Sequence, residues 1–238
     1  MTPFTVHHCE QRTPEWMAAR CGRLTGSRAE AAFAKTKTNP RWTKDRDHLR
    51  TSLVLERLTG QPQERDVRGQ NVRDGIAREP FARFHYECLT GTVLRTCGFV
   101  SDNELPIGCS PDGYVGDFEG LVSIKCPPPA NHLHSLLKYR EWQSIRETAA
   151  GAAAVGVMKS HLEVIPEEYL FQIRHEMYVT GASWLDYMSY DPNFPPHLRS
   201  VLVRTVRSDF DFDAYEGLVL EFLSEVDAEH EQILGLAA

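Results

Sequence analysis

The chain has 238 residues, of which 42% are hydrophobic and 25% charged, so it is long and apolar enough to bury the core of one large α/β domain. No apolar run reaches the roughly 18 residues of a membrane-spanning helix, and Met1 to Glu10 lack the layout of a secretory signal, so we expect a soluble cytoplasmic protein rather than a membrane or secreted one. The net charge of −7 is unevenly spread. Residues 1–100 hold 17 Lys and Arg against 11 Asp and Glu, whereas residues 101–238 hold 9 Lys and Arg against 22 Asp and Glu. The first segment could therefore line a phosphate-binding groove or form a solvated helical surface.

Four helices are predicted before residue 91. Thr13 and Pro14 form a helix-start pair, a capping hydroxyl followed by proline, and the helix continues to Arg20. A second helix is predicted to start near Thr25 or Ser27. Helical periodicity then covers about 46–59 and about 72–90, and a glycine follows each segment as a plausible C-terminal cap.

Short β-rich runs follow from residue 92 onward. They cover Thr92 to Val100, Gly108 to Val115 and Leu121 to Cys126, and we expect them to form the sheet. Helices are predicted from Asn131 to Tyr139 and from Glu141 to about Val155. The alanine- and glycine-rich stretch at 149–156 indicates a hinge or an insertion, which we bound at about 139–162.

The last third of the chain is predicted to hold two helices and two strands. A helix opens at Pro166 and runs to about Thr180, and strands lie near 183–190 and 200–205. An amphipathic helix closes the chain over about 212–234, and its apolar stripe is expected to face the core.

The six cysteines, at positions 9, 21, 88, 97, 109 and 126, form no C-x-x-C pair. This spacing favours neither a disulfide framework nor a zinc ribbon, and it suits a reducing cytosol. Histidines lie beside Cys9 and after Cys126, but their spacing is not that of a zinc site, so we expect ordinary thiols and histidines there.

The chemistry-bearing segment is Ser110-Pro111-Asp112-Gly113, followed by Ser123-Ile124-Lys125-Cys126-Pro127. Alternate residues of a strand face the same side, so Asp112, Ser123 and Lys125 can meet at one edge of a hairpin. Phosphodiester cleavage needs such a set, with oxygen ligands for Mg²⁺ and a lysine beside the attacking water. Taken alone, Asp112 before a glycine is also an ordinary turn residue, and Lys125 an ordinary solvated lysine.

These residues resemble the PD-(D/E)xK nuclease motif, and their surroundings resemble the lambda exonuclease and YqaJ-like viral recombinase family within it. The resemblance covers most of the chain, and its ordered series is more specific than the motif alone. The matching segments are Arg20-x-Gly22-x-Leu24-Thr25-Gly26-Ser27, Arg78-Glu79, Ser110 to Gly113, Ile124 to Pro127, Glu168-Tyr169-x-x-Gln172 and Ser189-Tyr190-Asp191-Pro192.

The resemblance implies a role for each matched position. Asp112 would be the principal metal ligand, the carbonyl of Ile124 a further ligand, and Lys125 the base or orienter of the attacking water. Glu79 would hold metal-bound water, and Gln172 would contact the substrate phosphate or the water. Arg20, Thr25 and Ser27 would grip a 5′-terminal phosphate, and Trp16 would abut the separated base pair or be a core residue.

Ser123 departs from the family pattern, in which an acidic residue stands at this position. A neutral hydroxyl is a poor magnesium ligand, so the expected site loses a negative charge. Three explanations remain open: an engineered inactive variant, a natural enzyme whose carboxylate has moved, or a dead nuclease retained for binding. Glu79, Glu119 and Glu141 are the candidates for a relocated acid.

We therefore predict a restriction-endonuclease-like α/β fold, a mixed central sheet flanked by helices, in a single domain over residues 1–238. The expected activity is Mg²⁺-dependent 5′-to-3′ digestion of linear double-stranded DNA, with Mn²⁺ as a substitute, impaired here by Ser123. The resemblance also implies a homotrimer, a single-strand annealing partner and a bacterial or phage-infected cell. The alternatives are a non-catalytic DNA-end-binding module and an endonuclease with a relocated carboxylate.

Overall fold

The computed structural model describes residues 4–36, 41–63, 69–149 and 160–236. Its helices are α1 (Pro14–Arg20), α2 (Ala29–Phe33), α3 (Lys44–Thr59), α4 (Gln70–Thr90), α5 (Pro129–Ala149), α6 (Glu167–Thr180) and α7 (Phe212–Gly235). Its strands are β1 (Phe4–His7), β2 (Leu24–Thr25), β3 (Phe99–Asp102), β4 (Ile107–Cys109), β5 (Gly113–Val115), β6 (Gly120–Lys125), β7 (Trp184–Tyr190) and β8 (Ser200–Val206). Within this part of the chain, no helix combines the length and apolar character needed to cross a membrane.

The predicted helix boundaries near residues 13, 60 and 91 are confirmed. The Thr13 side chain accepts a hydrogen bond from the backbone N–H of Trp16, which satisfies a free donor at the start of α1. Gly60 and Gly91 end α3 and α4 with φ values of 65° and 70°, a left-handed conformation that glycine adopts without steric cost.

The strands of the described ranges form two four-stranded sheets rather than the single sheet predicted. One has the order β1-β3-β4-β2, and the other has the order β5-β6-β7-β8. In the second sheet β6 pairs in parallel with β7, while β5 and β8 pair antiparallel at the two edges. Helices α5 and α6 make the crossover that a parallel pair requires.

Three predicted boundaries were wrong. The run from Thr92 becomes a strand only at Phe99, and the run from Gly108 to Val115 divides into β4 and β5, which belong to different sheets. The Ser110-Pro111 segment separates them because proline lacks the N–H that a sheet ladder needs. The two helices predicted after Pro129 are one helix to Ala149, and no proline or glycine follows Pro129 to break it. The remainder of the predicted second helix and the middle of the predicted insertion, at 150–159, lie outside the described residues.

Strand β6 lies between two layers, and its alternating side chains face them in turn. Val122 and Ile124 pack with residues of α4, including Ala82 and Tyr86, in a small apolar cluster. Leu121, on the opposite face, belongs to the larger core. Because Ser123 and Lys125 alternate with Val122 and Ile124, they lie on the Leu121 face of β6.

Candidate active site

The structure brings Asp112 and Lys125 together at the edge where β5 leaves the Pro111 segment. The Asp112 carboxylate accepts a hydrogen bond from the backbone N–H of Ile124 at 2.7 Å. The same oxygen lies 3.8 Å from the Lys125 ammonium, and both side chains are largely buried. The hairpin therefore fixes a carboxylate and a cation at one point, as the sequence pattern predicted.

Helix α6 adds an amide and a second carboxylate to this point. The Lys125 ammonium donates to Gln172 Oε1 at 3.3 Å, and Gln172 Nε2 donates to Glu176 Oε1 at 2.7 Å. Glu176 is only 1% exposed, although most glutamates lie at the surface. The chain of contacts from Lys125 through Gln172 to Glu176 therefore extends the site from the sheet onto α6.

The two ionisable groups at the ends of this chain have shifted pKa values. Burial alone would lower the pKa of Lys125, but the negative charges of Asp112 and Glu176 outweigh it and raise that pKa. Burial raises the pKa of Glu176 to about 8, and the Asp112 charge adds to the shift. The site therefore disfavours a second negative charge unless a further cation balances it.

Two oxygen atoms near this point have no hydrogen-bond partner within the described residues. They are the hydroxyl oxygen of Ser123, which is fully buried, and Oε2 of Glu176. Buried oxygens without donors are costly, and such atoms need an explanation such as an ion or a water molecule. In the same part of the chain, no group of three or more His, Cys, Asp or Glu side chains forms a metal-binding cluster.

Glu79 approaches the site from α4, the layer on the other side of β6. It accepts a hydrogen bond from Arg83 at 3.1 Å, and burial together with the Asp112 charge raises its pKa. A cleft of about 420 Å³ opens beside it and is lined by Asp112, Glu79, Arg83 and Arg12, among others. The cleft gives Asp112 access to solvent and carries two arginines suited to phosphate.

The residues predicted to grip a terminal phosphate also lie together. Arg20 is 5% exposed and donates to Ser27 Oγ at 3.0 Å and to Thr25 Oγ1 at 3.4 Å. Its guanidinium stacks 4.0 Å from the centre of the Trp16 ring. Trp16 is half-buried, and its indole N–H donates to Gly98 O and Ser110 Oγ at 3.0 and 2.9 Å, so this ring contacts the segment that leads to Asp112.

This pocket borders the edge that carries Asp112 and Lys125 through Gly26. A methyl group added to Gly26 would lie 3.4 Å from Cγ of both Gln172 and Glu176. The segment from Thr25 to Ser27 therefore packs on the face of α6 that carries these two polar side chains. A phosphate held by Ser27 and a second one near Lys125 could accordingly belong to one bound strand.

The structure separates two of the suggested relocated acids from this site. Glu119 and Glu141 are both exposed, the first on the turn before β6 and the second on α5. Glu176 was not predicted, because no motif marks it. The available signal was its position one helical turn after Gln172, which puts both side chains on one face of α6.

The chain resembles known proteins in sequence and in overall structure. The family model for the YqaJ-like viral recombinase domain matches residues 15–183. The crystal structure of an alkaline exonuclease, LHK-Exo, from Laribacter hongkongensis is 30% identical, with a TM-score of 0.72 over 94% of this chain and 98% of that one. The structure of LHK-Exo in complex with dAMP has the same identity and coverage, with a TM-score of 0.71.

A phage-related exonuclease from Haemophilus somnus 129PT shares the fold at 12% identity, with a TM-score of 0.60 over 91% of this chain and 96% of that one. No curated protein matches the chain at a significant level. These likenesses confirm the predicted restriction-endonuclease-like fold. Since the family model spans more than half of the sequence and includes Asp112, Lys125 and Gln172, the chain belongs to the YqaJ-like viral recombinase domain family.

Proposed function

We propose that this protein is a Mg²⁺-dependent exonuclease that digests linear double-stranded DNA from its 5′ ends in phage-type recombination. The observation that carries the proposal is the convergence of Asp112, Lys125 and Gln172 beside buried oxygens that have no donor within the described ranges. A carboxylate and a lysine at one strand edge are the groups that phosphodiester hydrolysis requires.

The donor set at this edge fits a hard divalent cation. Asp112 would hold it through its carboxylate and Ile124 through its main-chain carbonyl, while Ser123 would contribute at most a neutral hydroxyl. Mg²⁺ keeps several water molecules and needs only one or two protein carboxylates, so a site without a larger acidic cluster suits it, with Mn²⁺ as a substitute. A bound cation would supply the positive charge that stabilises negative charge developing on the phosphate.

The remaining side chains would position the reactants. Lys125, held as an ammonium by Asp112 and Gln172, would orient the attacking water, or deprotonate it if its pKa fell beside the cation. Gln172 would contact the phosphate or the water, and Glu79 would hold water at the mouth of the cleft. Fixing the water and the phosphate in this way lowers the entropic cost of bringing the two reactants together.

The pocket of Arg20, Thr25 and Ser27 would set the polarity of digestion. A guanidinium and two hydroxyls offer donors to a dianionic terminal phosphate, which accepts more hydrogen bonds than a bridging diester. Trp16, stacked on Arg20, would stand beside the first separated base pair. The partner is thus the end of a DNA duplex that carries a 5′ phosphate.

The wider assembly follows from the family resemblance. We propose a homotrimer that encircles DNA and passes the product strand to a single-strand annealing protein in the cytoplasm of a bacterial or phage-infected cell. Light scattering after gel filtration tests the first part. A particle of three times the 27.0 kDa chain mass is expected, and a monomer at micromolar concentration would contradict it.

Two other functions make different predictions. A non-catalytic DNA-end-binding module, the form expected if Ser123 inactivates the site, would bind duplex ends without degrading them. An endonuclease with a relocated carboxylate would cut closed circular DNA, whereas the proposed enzyme needs an end. Neither has an observation in the structure that favours it over the exonuclease.

The experiment compares the wild-type chain with Lys125→Ala on linear and closed circular duplexes in Mg²⁺, and measures DNA binding in Ca²⁺. We expect wild-type digestion of linear DNA only, and loss of digestion in Lys125→Ala with nearly unchanged binding, because one lysine is a small part of a many-phosphate interface. End binding without digestion by the wild-type chain would favour the binding module. Cleavage of circles would favour the endonuclease.

A further inference from the structure

Glu176 is a buried carboxylate with one oxygen unaccounted for. Its Oε1 accepts the hydrogen bond from Gln172, whereas its Oε2 has no partner in the described part of the chain. The side chain is 1% exposed, so bulk water does not solvate that oxygen. Because burial raises the pKa of Glu176, its side chain is ionised at neutral pH only beside a positive partner that offsets the unfavourable buried charge.

Helix α6, which carries Glu176, packs against β7, the strand that pairs with β6 beside Ser123. Tyr169, on the same side of α6 as Gln172 and Glu176, lies with its ring centre 5.9 Å from that of Tyr187. Tyr187 is the direct neighbour of Ser123 in the parallel pair of β6 and β7. The same Tyr169 ring lies 5.3 Å from the Lys125 ammonium.

Ser123 leaves open the position that an acidic side chain occupies in the motif this chain resembles. Its hydroxyl is fully buried and lacks a hydrogen-bond partner within the residues described, so no described side chain is hydrogen-bonded to it. A metal ligand needs an oxygen at a point in space and not at a fixed sequence position. A carboxylate on the facing helix can therefore serve where the strand carries serine.

The other acidic residues near β6 are less suited to this role. Glu119 and Glu141 are exposed, and Glu79, which lines the cleft beside Asp112, is already paired with Arg83 on α4. Glu176 shares its surroundings with Lys125, Gln172 and the charge of Asp112.

We propose that Glu176 supplies the second metal-binding carboxylate of this protein, in place of the acid that the motif carries at the position of Ser123. The inference rests on the proposed divalent-metal nuclease function. Asp112 and Glu176 would then hold the cation from the strand and from the helix. Under this proposal Ser123 does not inactivate the site. The site is complete, and its second carboxylate has moved from β6 to α6.

The test measures Mn²⁺ binding to the full chain by calorimetry, without DNA. Glu176→Gln keeps the size of the side chain and its contact with Gln172 but removes the charge. We expect it to weaken Mn²⁺ binding by at least about tenfold, since loss of even a supporting group around a metal costs about that much. Glu167→Gln makes the same chemical change at an exposed position of α6 and should leave binding within about twofold of wild type.

An exchange variant tests the same point if Glu176→Gln proves unstable. Ser123→Glu combined with Glu176→Ser returns the carboxylate to the strand, and it should bind Mn²⁺ and digest DNA better than Glu176→Ser alone. Equal Mn²⁺ binding by folded Glu176→Gln and the wild-type chain would overturn the inference. So would an exchange variant that binds Mn²⁺ no better than Glu176→Ser.

A further variant separates this inference from the proposed function. If Asp112→Asn abolishes Mn²⁺ binding and digestion while Glu176→Gln changes neither, the nuclease stands and the role of Glu176 is refuted. If the wild-type chain binds no Mn²⁺ and digests no DNA, the proposed function fails and the inference fails with it.

Discussion

Glu56 connects the stability of α3 to the segment that carries Arg20, and replacing it with glutamine should disturb both. Its side chain is fully buried and accepts two hydrogen bonds from Arg28, at 2.6 and 3.0 Å. It also accepts the backbone N–H of Gly22 at 2.7 Å and that of Gln63 at 2.9 Å. Four donors therefore converge on one carboxylate.

The expected cost follows from these contacts. Removing one partner of a buried ion pair costs about 3 to 5 kcal/mol, and glutamine retains one acceptor oxygen, so we expect a loss near the lower end, about 3 kcal/mol. For a chain of this size that loss corresponds to a fall in Tm of roughly 6 to 12 °C. Asp47→Asn is the control: it lies on the same helix, its side chain is 65% exposed, and it should cost less than about 1 kcal/mol.

The effect of Glu56→Gln should depend on pH with a defined sign. Burial alone would raise the pKa of Glu56, but Arg28 and the two backbone donors outweigh it and bring that pKa below its usual value. The carboxylate therefore stabilises the fold fully above the unfolded pKa of roughly 4.3, and this contribution is lost as the pH falls through the lower folded value.

Urea unfolding at pH 7 and near pH 3 measures the free energy of unfolding of the wild-type chain, of Glu56→Gln and of the Asp47→Asn control. The free-energy gap between the wild-type chain and Glu56→Gln should narrow at the lower pH. A gap of less than about 1 kcal/mol at pH 7, or one that widens on acidification, would refute the assignment of Glu56 as a buried, ionised anchor.

Three further predictions concern the site and its scaffold. Digestion should be faster from 5′-phosphate than from 5′-hydroxyl ends by roughly tenfold to a hundredfold, the value of one charged hydrogen bond. Arg20→Ala should remove most of this preference. Equal rates on both ends before mutation would exclude Arg20 from the site. Mg²⁺ at about 100 times its Kd should stabilise the fold by about 2.7 kcal/mol in thermal unfolding, and Asp112→Asn should abolish the shift; a shift retained in that variant would place the cation elsewhere. Gly120→Ala should lower the free energy of unfolding in urea by about 1 to 3 kcal/mol, because its methyl group would lie 2.0 Å from the Trp184 ring. An unchanged unfolding midpoint would mean that the ring moves aside without cost.

Local signals in the sequence predicted much of the fold. The capping residues at Thr13, Gly60 and Gly91 mark helix ends through local hydrogen bonds. Thr13 accepts one from the backbone, and the left-handed glycines let the chain bond the last carbonyls of the helix. The convergence of Asp112 and Lys125 was also predictable, since a hairpin and the alternation of a strand are local geometry.

Features that depend on distant contacts were not predictable in this way. Strand β1 has only four residues and pairs with β3, almost a hundred residues later, so no local pattern marks it. The division of the strands into two sheets depends on long-range pairing in the same manner. Glu176 resembles an ordinary helical glutamate in the sequence, and only the packing of α6 against β3, β4, β7 and the Gly26 segment buries it.

The most direct test of the central claim is the rate at which the wild-type chain, with Ser123 in place, releases the first nucleotide from a 5′-phosphorylated linear duplex under single-turnover conditions in Mg²⁺. A site completed by Asp112, Glu176 and Lys125 predicts release of a 5′-mononucleotide at about 1 s⁻¹ or faster, the ordinary range for an enzyme. The same reaction in EDTA should show none. Stable binding of the duplex end in Mg²⁺, with the terminal nucleotide still attached after hours, would contradict the account.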